Sequence, residues 1–537
     1  MVGVWGCRKS GMPLEDTVNQ GFALLDWVVL GGYFVVLGVT GVIFSRRTPK
    51  DTKDYFLGGR RMPTWAVSIS IVATSLSAVT FIGAPQEAYK GNLTYLATNI
   101  GMVLAAMIIA LLFIPAFYKS QSASIYQLLE TRFGPGARKS ASVAFMLGRV
   151  LASGARIFAG AIPASILLFG LEKGTDPGHL MAAIAILTTV GIVYTLAGGI
   201  SSVIWSDVIQ FGILIGAALC AIVLIVGSFN VPLTEIIEQL KTGGPEETSK
   251  LRIFDLSLDP RERYSLPACI IGFTLLGIGS YGTDQDLAQR LLTCKSSKDG
   301  ARSIIQGILL GIPTTAIFLS VGLLLWIVYQ RPELTTLGAR EAPDESMTVF
   351  LHYILTEIPA GVRGLMMAGL FAAGLSSLNS AINAMGAAFV SDLYRPSTEA
   401  REISKSDRHF VVVGRMAVVC WGVILGLFAM VCIYWQRAEN DTLIGFALSV
   451  MTFAYAGLIG VFFTALFTKR GSSRSAIAAL IAGFVWMLIN QRFVYNSMAF
   501  LDRPWITDWY DIHFTWKLTV GVMISMSICM MGRTQKS

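Results

Sequence analysis

Ala373, Ser376, Ser377 and Ser380 recur at i, i+3, i+4 and i+7, which places them on one face of a helix. Asn379 and Asn383 stand beside them. Two readings suit such a stripe. Hydroxyls and a free carbonyl are hard oxygen donors, the kind a cation such as sodium prefers. Ser376, Ser377 and the Ala373 carbonyl would supply part of its shell. The rest would come from unwound backbone, and Ala73-Thr74-Ser75-Leu76-Ser77-Ala78-Val79-Thr80 is dense enough in small hydroxylated residues to break a helix at the Ala73 and Leu76 carbonyls. The second reading is a small-residue interface of the kind apolar helices use to approach closely.

Ionisable residues inside otherwise apolar runs are expensive and often functional; Asp207, Arg149 and Arg156 are the candidates here, while Arg415 and Lys517 near later run ends are read as reaching the interface. Asp207 stands near the start of one run and would neutralise a cation or cap the helix start. Arg149 and Arg156 lie seven apart on one face of another. An inward arginine would hold a carboxylate bidentately or pair with an internal acid, and Arg156, the deeper of the two, is the candidate for a solute. The seven cysteines and four histidines are scattered through the 537 residues, without the spacing of a zinc site or a disulfide framework.

The elements that must position these residues follow from composition. The chain is 54% hydrophobic and 14% charged, against about 25% charged in ordinary soluble proteins, so a soluble multidomain enzyme is excluded. A bilayer core needs roughly 20 apolar helical residues. Runs of that kind fall at 24–45, 64–84, 94–118, 141–170, 179–197, 202–227, 266–284, 303–329, 362–392, 409–435, 442–467, 475–492 and 514–532, which predicts an all-α integral membrane protein of about thirteen spans. Alternate loops carry 23 lysines and arginines on one side and nine on the other, with five more in the long 228–265 loop. The excess of basic residues marks the cytoplasmic side and predicts an outside N-terminus and a cytoplasmic C-terminus; Arg290 is counted among those loop charges. No loop is large enough for a catalytic domain, no catalytic grouping is present, and the basic net charge of +8 reflects these loops rather than nucleic-acid binding. The expectation is a carrier and not an enzyme, with an ion channel as the rival class.

Interrupted segments at matching places of two halves point to a transporter binding site. The serine-rich second run is one. The seventh, Gly277-Ile-Gly279-Ser280-Tyr281-Gly282-Thr283-Asp284-Gln285, is another, with its break expected among the glycines. The seventh run follows the second at an offset of five, so two five-helix repeats are predicted. The divisions are 1–63 (an extra helix and first cytoplasmic loop), 64–227 (first repeat), 228–265 (an extracellular loop), 266–467 (second repeat) and 468–537 (two further helices and a tail).

Four segments together resemble the sodium/solute symporter family, sodium-coupled carriers of sugars, proline, sialic acid, pantothenate, iodide and monocarboxylates. They are Leu25-Asp26-Trp27 through Tyr33 with Asp54-Tyr55-Phe56-Leu57-Gly58-Gly59-Arg60; Gly198-Gly199 through Asp207 and Gln210; Tyr281-Gly-Thr-Asp284-Gln285 through Gln289-Arg290; and Ser376-Ser377-Leu-Asn379-Ser380 through Asp392-Leu-Tyr394. The resemblance implies a leucine-transporter-type 5+5 inverted repeat with one extra N-terminal and two extra C-terminal helices, working by alternating access as a plasma-membrane monomer. It implies sodium, as transported co-substrate, on Ala73, Leu76, Ala373, Ser376 and Ser377. It implies a second sodium at Asp207 and Ser380, where Asn379 departs from the two-sodium pattern. It places the solute against Ser75, Ser77, Thr80, Arg156, Tyr281 and Asp284. Arg156 suits an acidic solute such as a sialic acid or a monocarboxylate; a sugar or neutral solute, and proton coupling, are the alternatives.

Overall fold

The computed structural model of the chain describes residues 22–45, 52–120, 124–170, 173–196, 199–243, 248–343, 347–402, 405–439, 442–491, 494 and 509–533. Gly198 and the charges Arg8, Lys9, Arg46, Arg47, Lys50, Arg492, Arg503 and Lys536 lie outside these residues.

The principal helices are α1 (Leu24–Ser45), α2 (Thr64–Ser75), α3 (Ala78–Lys90), α4 (Thr94–Ser120), α5 (Pro135–Phe169), α6 (Pro177–Thr195), α7 (Gly199–Gly227), α8 (Ala268–Thr283), α9 (Gln285–Leu291), α10 (Ser297–Gln330), α11 (Val362–Ala388), α12 (Asp407–Glu439), α13 (Leu443–Phe467), α14 (Ser473–Ile489) and α15 (Phe514–Met530). Among the described residues nine are long and apolar enough to cross a membrane; α2 and α3 make one further, bent candidate, and α8, α14 and α15 are shorter apolar helices. The chain is a multi-span, all-helical membrane protein. At about 1.5 Å per residue the 35-residue α5 and 34-residue α10 outrun an apolar layer of about 30 Å. The fourth run starts at Pro135, ahead of its apolar residues, because proline's fixed φ and missing N–H suit a first helical turn.

Both interrupted segments are broken, at different kinds of site. Leu76 (φ −77°, ψ 136°) and Ser77 (φ −135°, ψ 178°) are extended between α2 and α3, and the two helices bend by 66°. In the seventh run the glycines stay helical. The interruption falls at Asp284 (φ −96°, ψ 123°), whose side chain accepts the Asp286 N–H at 2.9 Å and so caps α9, as short acidic side chains do at N-caps. The glycines serve packing instead: a Cβ on Gly279 would stand 2.7 Å from the Tyr455 ring.

The centre of the bundle is α11. Of its most apolar stretch 89% is buried, against 28% for α1. Its small residues allow α7, α5 and α2 to lie against it. On the other side α10 meets α3 so closely that a Cβ on Gly322 would come within 2.0 Å of the Pro85 carbonyl oxygen.

Candidate functional site

The end of α2 leaves the carbonyls of Ala73, Thr74, Ser75 and Leu76 without a following backbone amide: the Leu76 N–H closes on Val72, and the Thr80 and Phe81 N–H groups turn to Ser77. These are the orphan acceptors of any helix C-terminus. They face α11. Ser377 Oγ donates to the Thr74 and Leu76 carbonyls, both at 3.3 Å. Ala73 and Ala373 are buried beside them on the same two helices. The serine face thus meets unwound backbone, while Thr74, whose carbonyl and hydroxyl both enter the site, is not among the residues that the sequence singles out.

The preceding residue on α11, Ser376, donates from Oγ to Asp207 Oδ1 at 2.6 Å. Asp207 Oδ2 accepts from Ser70 Oγ at 2.5 Å and Thr74 Oγ1 at 3.3 Å, and Thr74 Oγ1 stands 3.3 Å from Ser380 Oγ. The same carboxylate oxygen meets Arg290 Nη2 at 3.2 Å. Arg290 is therefore not a loop charge: it is fully buried, donating also to Ser70 Oγ at 2.9 Å, to Asp286 Oδ1 at 2.8 Å and to Ser380 Oγ. Asp207 and Ser380, the pair considered for a second ion, share this resident cation. Its sequence signal was the i, i+4 pair Asp286–Arg290, which faces inward on a short helix.

Asp284 belongs to the same network rather than to a cavity. Arg149 Nη2 pairs with Asp284 Oδ2 at 2.5 Å and its Nη1 with Asp286 Oδ2 at 3.2 Å, and the Tyr455 hydroxyl donates to Asp284 at 3.0 Å. Of the two readings of the arginine pair, Arg149 takes the internal acid. The chain Arg149–Asp284/Asp286–Arg290–Asp207 ties α9 to α5 on one side and α7 on the other, across ions that are expensive to bury unless mutually compensated.

Arg156 does otherwise. Its Nη1 reaches only the Thr74 carbonyl, at 3.5 Å, and its Nη2 the Met451 sulfur, at 3.2 Å. Among the described residues it forms no ion pair. It lines a cavity of about 130 Å³ together with Ser75, Ser77, Thr80 and Tyr281, and with Thr98, Asn99 and Thr315 from α4 and α10. A second, wider cavity of about 580 Å³, bounded by Gln86, Glu87, Lys90, Arg263 and Gln436, opens beyond it, and Ile444 borders both. Asp207, Asp284 and Asp286 on one hand and Arg149, Arg156 and Arg290 on the other balance in charge, with Arg156 the one that faces a cavity.

Known proteins share this arrangement of helices. The sialic acid symporter SiaT of Proteus mirabilis is 31% identical over 89% of this chain and 90% of its own length. The human sodium-coupled monocarboxylate transporter 1 is 29% identical over 94% of this chain and 86% of its own. Among solved structures, a Na+-coupled sialic acid symporter in a substrate-bound outward-open state superposes with a TM-score of 0.76 at 26% identity, covering 95% of this chain and 98% of that one. Mhp1, a nucleobase-cation-symport-1 family transporter, gives 0.52 at 16% identity over 90% and 94% of the two chains, a likeness of fold alone. The model of the sodium:solute symporter family matches residues 55–483. The chain belongs to the sodium:solute symporter family.

Proposed function

We propose that the protein imports a small acidic organic solute together with sodium, as a plasma-membrane symporter working by alternating access. The single observation that carries the acidic solute is Arg156, a guanidinium facing a cavity with no carboxylate partner among the described residues. Buried charges are normally paired, and a solute carboxylate would complete this one. Relatives named for sialic acid and for monocarboxylates both carry acids, which supports the same reading.

In this proposal sodium binds between α2 and α11 on the carbonyls of Ala73 and Leu76, the carbonyl of Ala373 and the hydroxyls of Ser376 and Ser377, with the Thr74 carbonyl adjacent. The solute lies against Ser75, Ser77, Thr80, Arg156 and Tyr281, with Asp284 behind them holding α9. A second sodium at Asp207 and Ser380 would require Arg290 to withdraw. The balanced core suits one sodium with one carboxylate, since the pair adds no net charge to a dry interior. The thirteen apolar helical segments, counting α2 with α3, are read as spans. Segments 64–227 and 266–467 form the inverted repeats, 1–63 and 468–537 the added helices, and 228–265 an outer loop. The basic loops then put the N-terminus outside, the 580 Å³ cavity on the outer face and the α9 ion pairs on the cytoplasmic side. Sodium would hold α2 against α11, and its inward release would free α2 and let the solute follow. The protein acts as a monomer in the lipid bilayer, carrying its two cargoes without chemistry.

Uptake into proteoliposomes, with sodium or choline outside and a panel of sialic acids, short monocarboxylates and neutral sugars, tests this reading. Sodium-dependent, saturable uptake of an acid that Arg156→Ala abolishes is expected. Uptake of a neutral sugar that survives Arg156→Ala, or uptake indifferent to choline, would refute it.

A further inference from the structure

Arg156 and Ser377 converge on one oxygen. The Thr74 carbonyl, at the end of α2, accepts from Ser377 Oγ of α11 at 3.3 Å and from Arg156 Nη1 of α5 at 3.5 Å. Among the described residues no backbone amide competes for it, and Thr74 and Ser377 are both buried. A helix C-terminus carries partial negative charge, so this carbonyl attracts a cation from either side. A sodium ion seated beside Ser377 and the guanidinium of Arg156 would therefore both stand close to the same carbonyl in a water-poor interior, where like charges repel far more strongly than in water.

Among the described residues Arg156 has no acid of its own to offset that repulsion. The nearby acids Asp284 and Asp286 are engaged by Arg149 and Arg290, and Asp207 by Arg290. An anionic group in the cavity would neutralise Arg156 and draw it away from the Thr74 carbonyl, and so away from the ion. We propose that Arg156 is the element that couples the two cargoes: its charge opposes sodium binding until a solute carboxylate neutralises it. Sodium and carboxylate then favour each other by the same factor, as linkage requires, and a neutral solute gains nothing from sodium through this route. The inference rests on the assignment of sodium to Ser377 and of a solute carboxylate to Arg156.

The test uses the purified full-length protein without solute, sodium replacing choline at constant ionic strength, with backbone hydrogen exchange of Thr64–Ser75 reporting occupancy. Arg156→Gln and Arg156→Met are expected to half-saturate at about one-tenth of the wild-type sodium concentration, a gain of about 1.4 kcal/mol. Arg156→Lys, which keeps the charge, is expected to match the wild type. A merely structural role for Arg156 would weaken sodium binding in all three. Neutral variants that half-saturate at the wild-type concentration or above, while Ser377→Ala loses the response, would overturn the coupling alone. A Ser377→Ala variant that responds like the wild type would overturn the sodium assignment and the coupling with it.

Discussion

Arg290 offers the most direct measurement of what holds α9 in place. Its guanidinium is fully buried and serves Asp286 at 2.8 Å, Asp207 at 3.2 Å and Ser70 at 2.9 Å. Replacing it by methionine keeps most of the volume and removes the charge. Asp207 then keeps three hydroxyl donors, Ser70, Thr74 and Ser376, but no cation, and Asp286 keeps only Arg149. Removing one partner of a buried ion pair typically costs about 3–5 kcal/mol, because the remaining charge stays desolvated. Arg290→Met should lose stability in that range. Adding Asp207→Asn removes the stranded charge, so the double variant should recover about 2 kcal/mol, within the usual range for residues in one network. Equilibrium unfolding in mixed detergent micelles would give the four corners of the cycle. The buried thiol of Cys294, whose backbone carbonyl accepts from Tyr118 just beyond α9, would report the local consequence: maleimide labelling should rise in Arg290→Met and fall back in the double variant. Additive losses, with the double variant less stable than either single one, would show that Asp207 and Arg290 are neighbours rather than partners.

Two further outcomes follow from other residues. Ser377→Ala removes a hydroxyl from the meeting of α2 and α11 while leaving a packed methyl, so sodium-dependent uptake should fall at least tenfold with the protein still inserted in the membrane; uptake unchanged at limiting sodium would remove Ser377 from the site. In the 228–265 loop, the buried Lys250 donates to the carbonyls of Tyr89 at 2.7 Å and Gly91 at 2.8 Å at the end of α3, beneath Trp326. Burial pushes its ammonium down to about 8 from an ordinary 10.5. Between those values the unfolded chain holds a proton that the folded one has released, so this group makes stability rise with pH across that window. The melting temperature of the wild type minus that of Lys250→Met should therefore climb from pH 8 to 10.5, and a flat or falling difference would contradict the assignment.

Hydropathy located the helices well because the apolar solvent imposes both their length and their composition. The stripe on α11 was legible for a similar reason, since helical spacing alone sets Ser376, Ser377 and Ser380 on one face. The segment around Ser75 was legible as a break because small hydroxylated residues and extended backbone go together. Arg290 was misplaced by the same logic that found the spans: averaging over a window reads a charge as exposure, and nothing near Arg290 announces an aspartate 83 residues earlier. The break at Asp284 was displaced from its glycines because glycine in a crowded bundle also serves close approach, as Gly279 does beneath Tyr455.

The order of residues by itself determined that this is a helical membrane protein, which face of α11 is polar, and that Asp207, Arg149 and Arg156 are too deep to be incidental. Only the tertiary structure decided how the buried charges pair: Arg149 with Asp284, Arg290 with Asp207, and Arg156 with no acid among the described residues. Pairing depends on distances between helices remote in the chain, and in a low-dielectric interior those distances decide whether an arginine is a strut or is open to a solute.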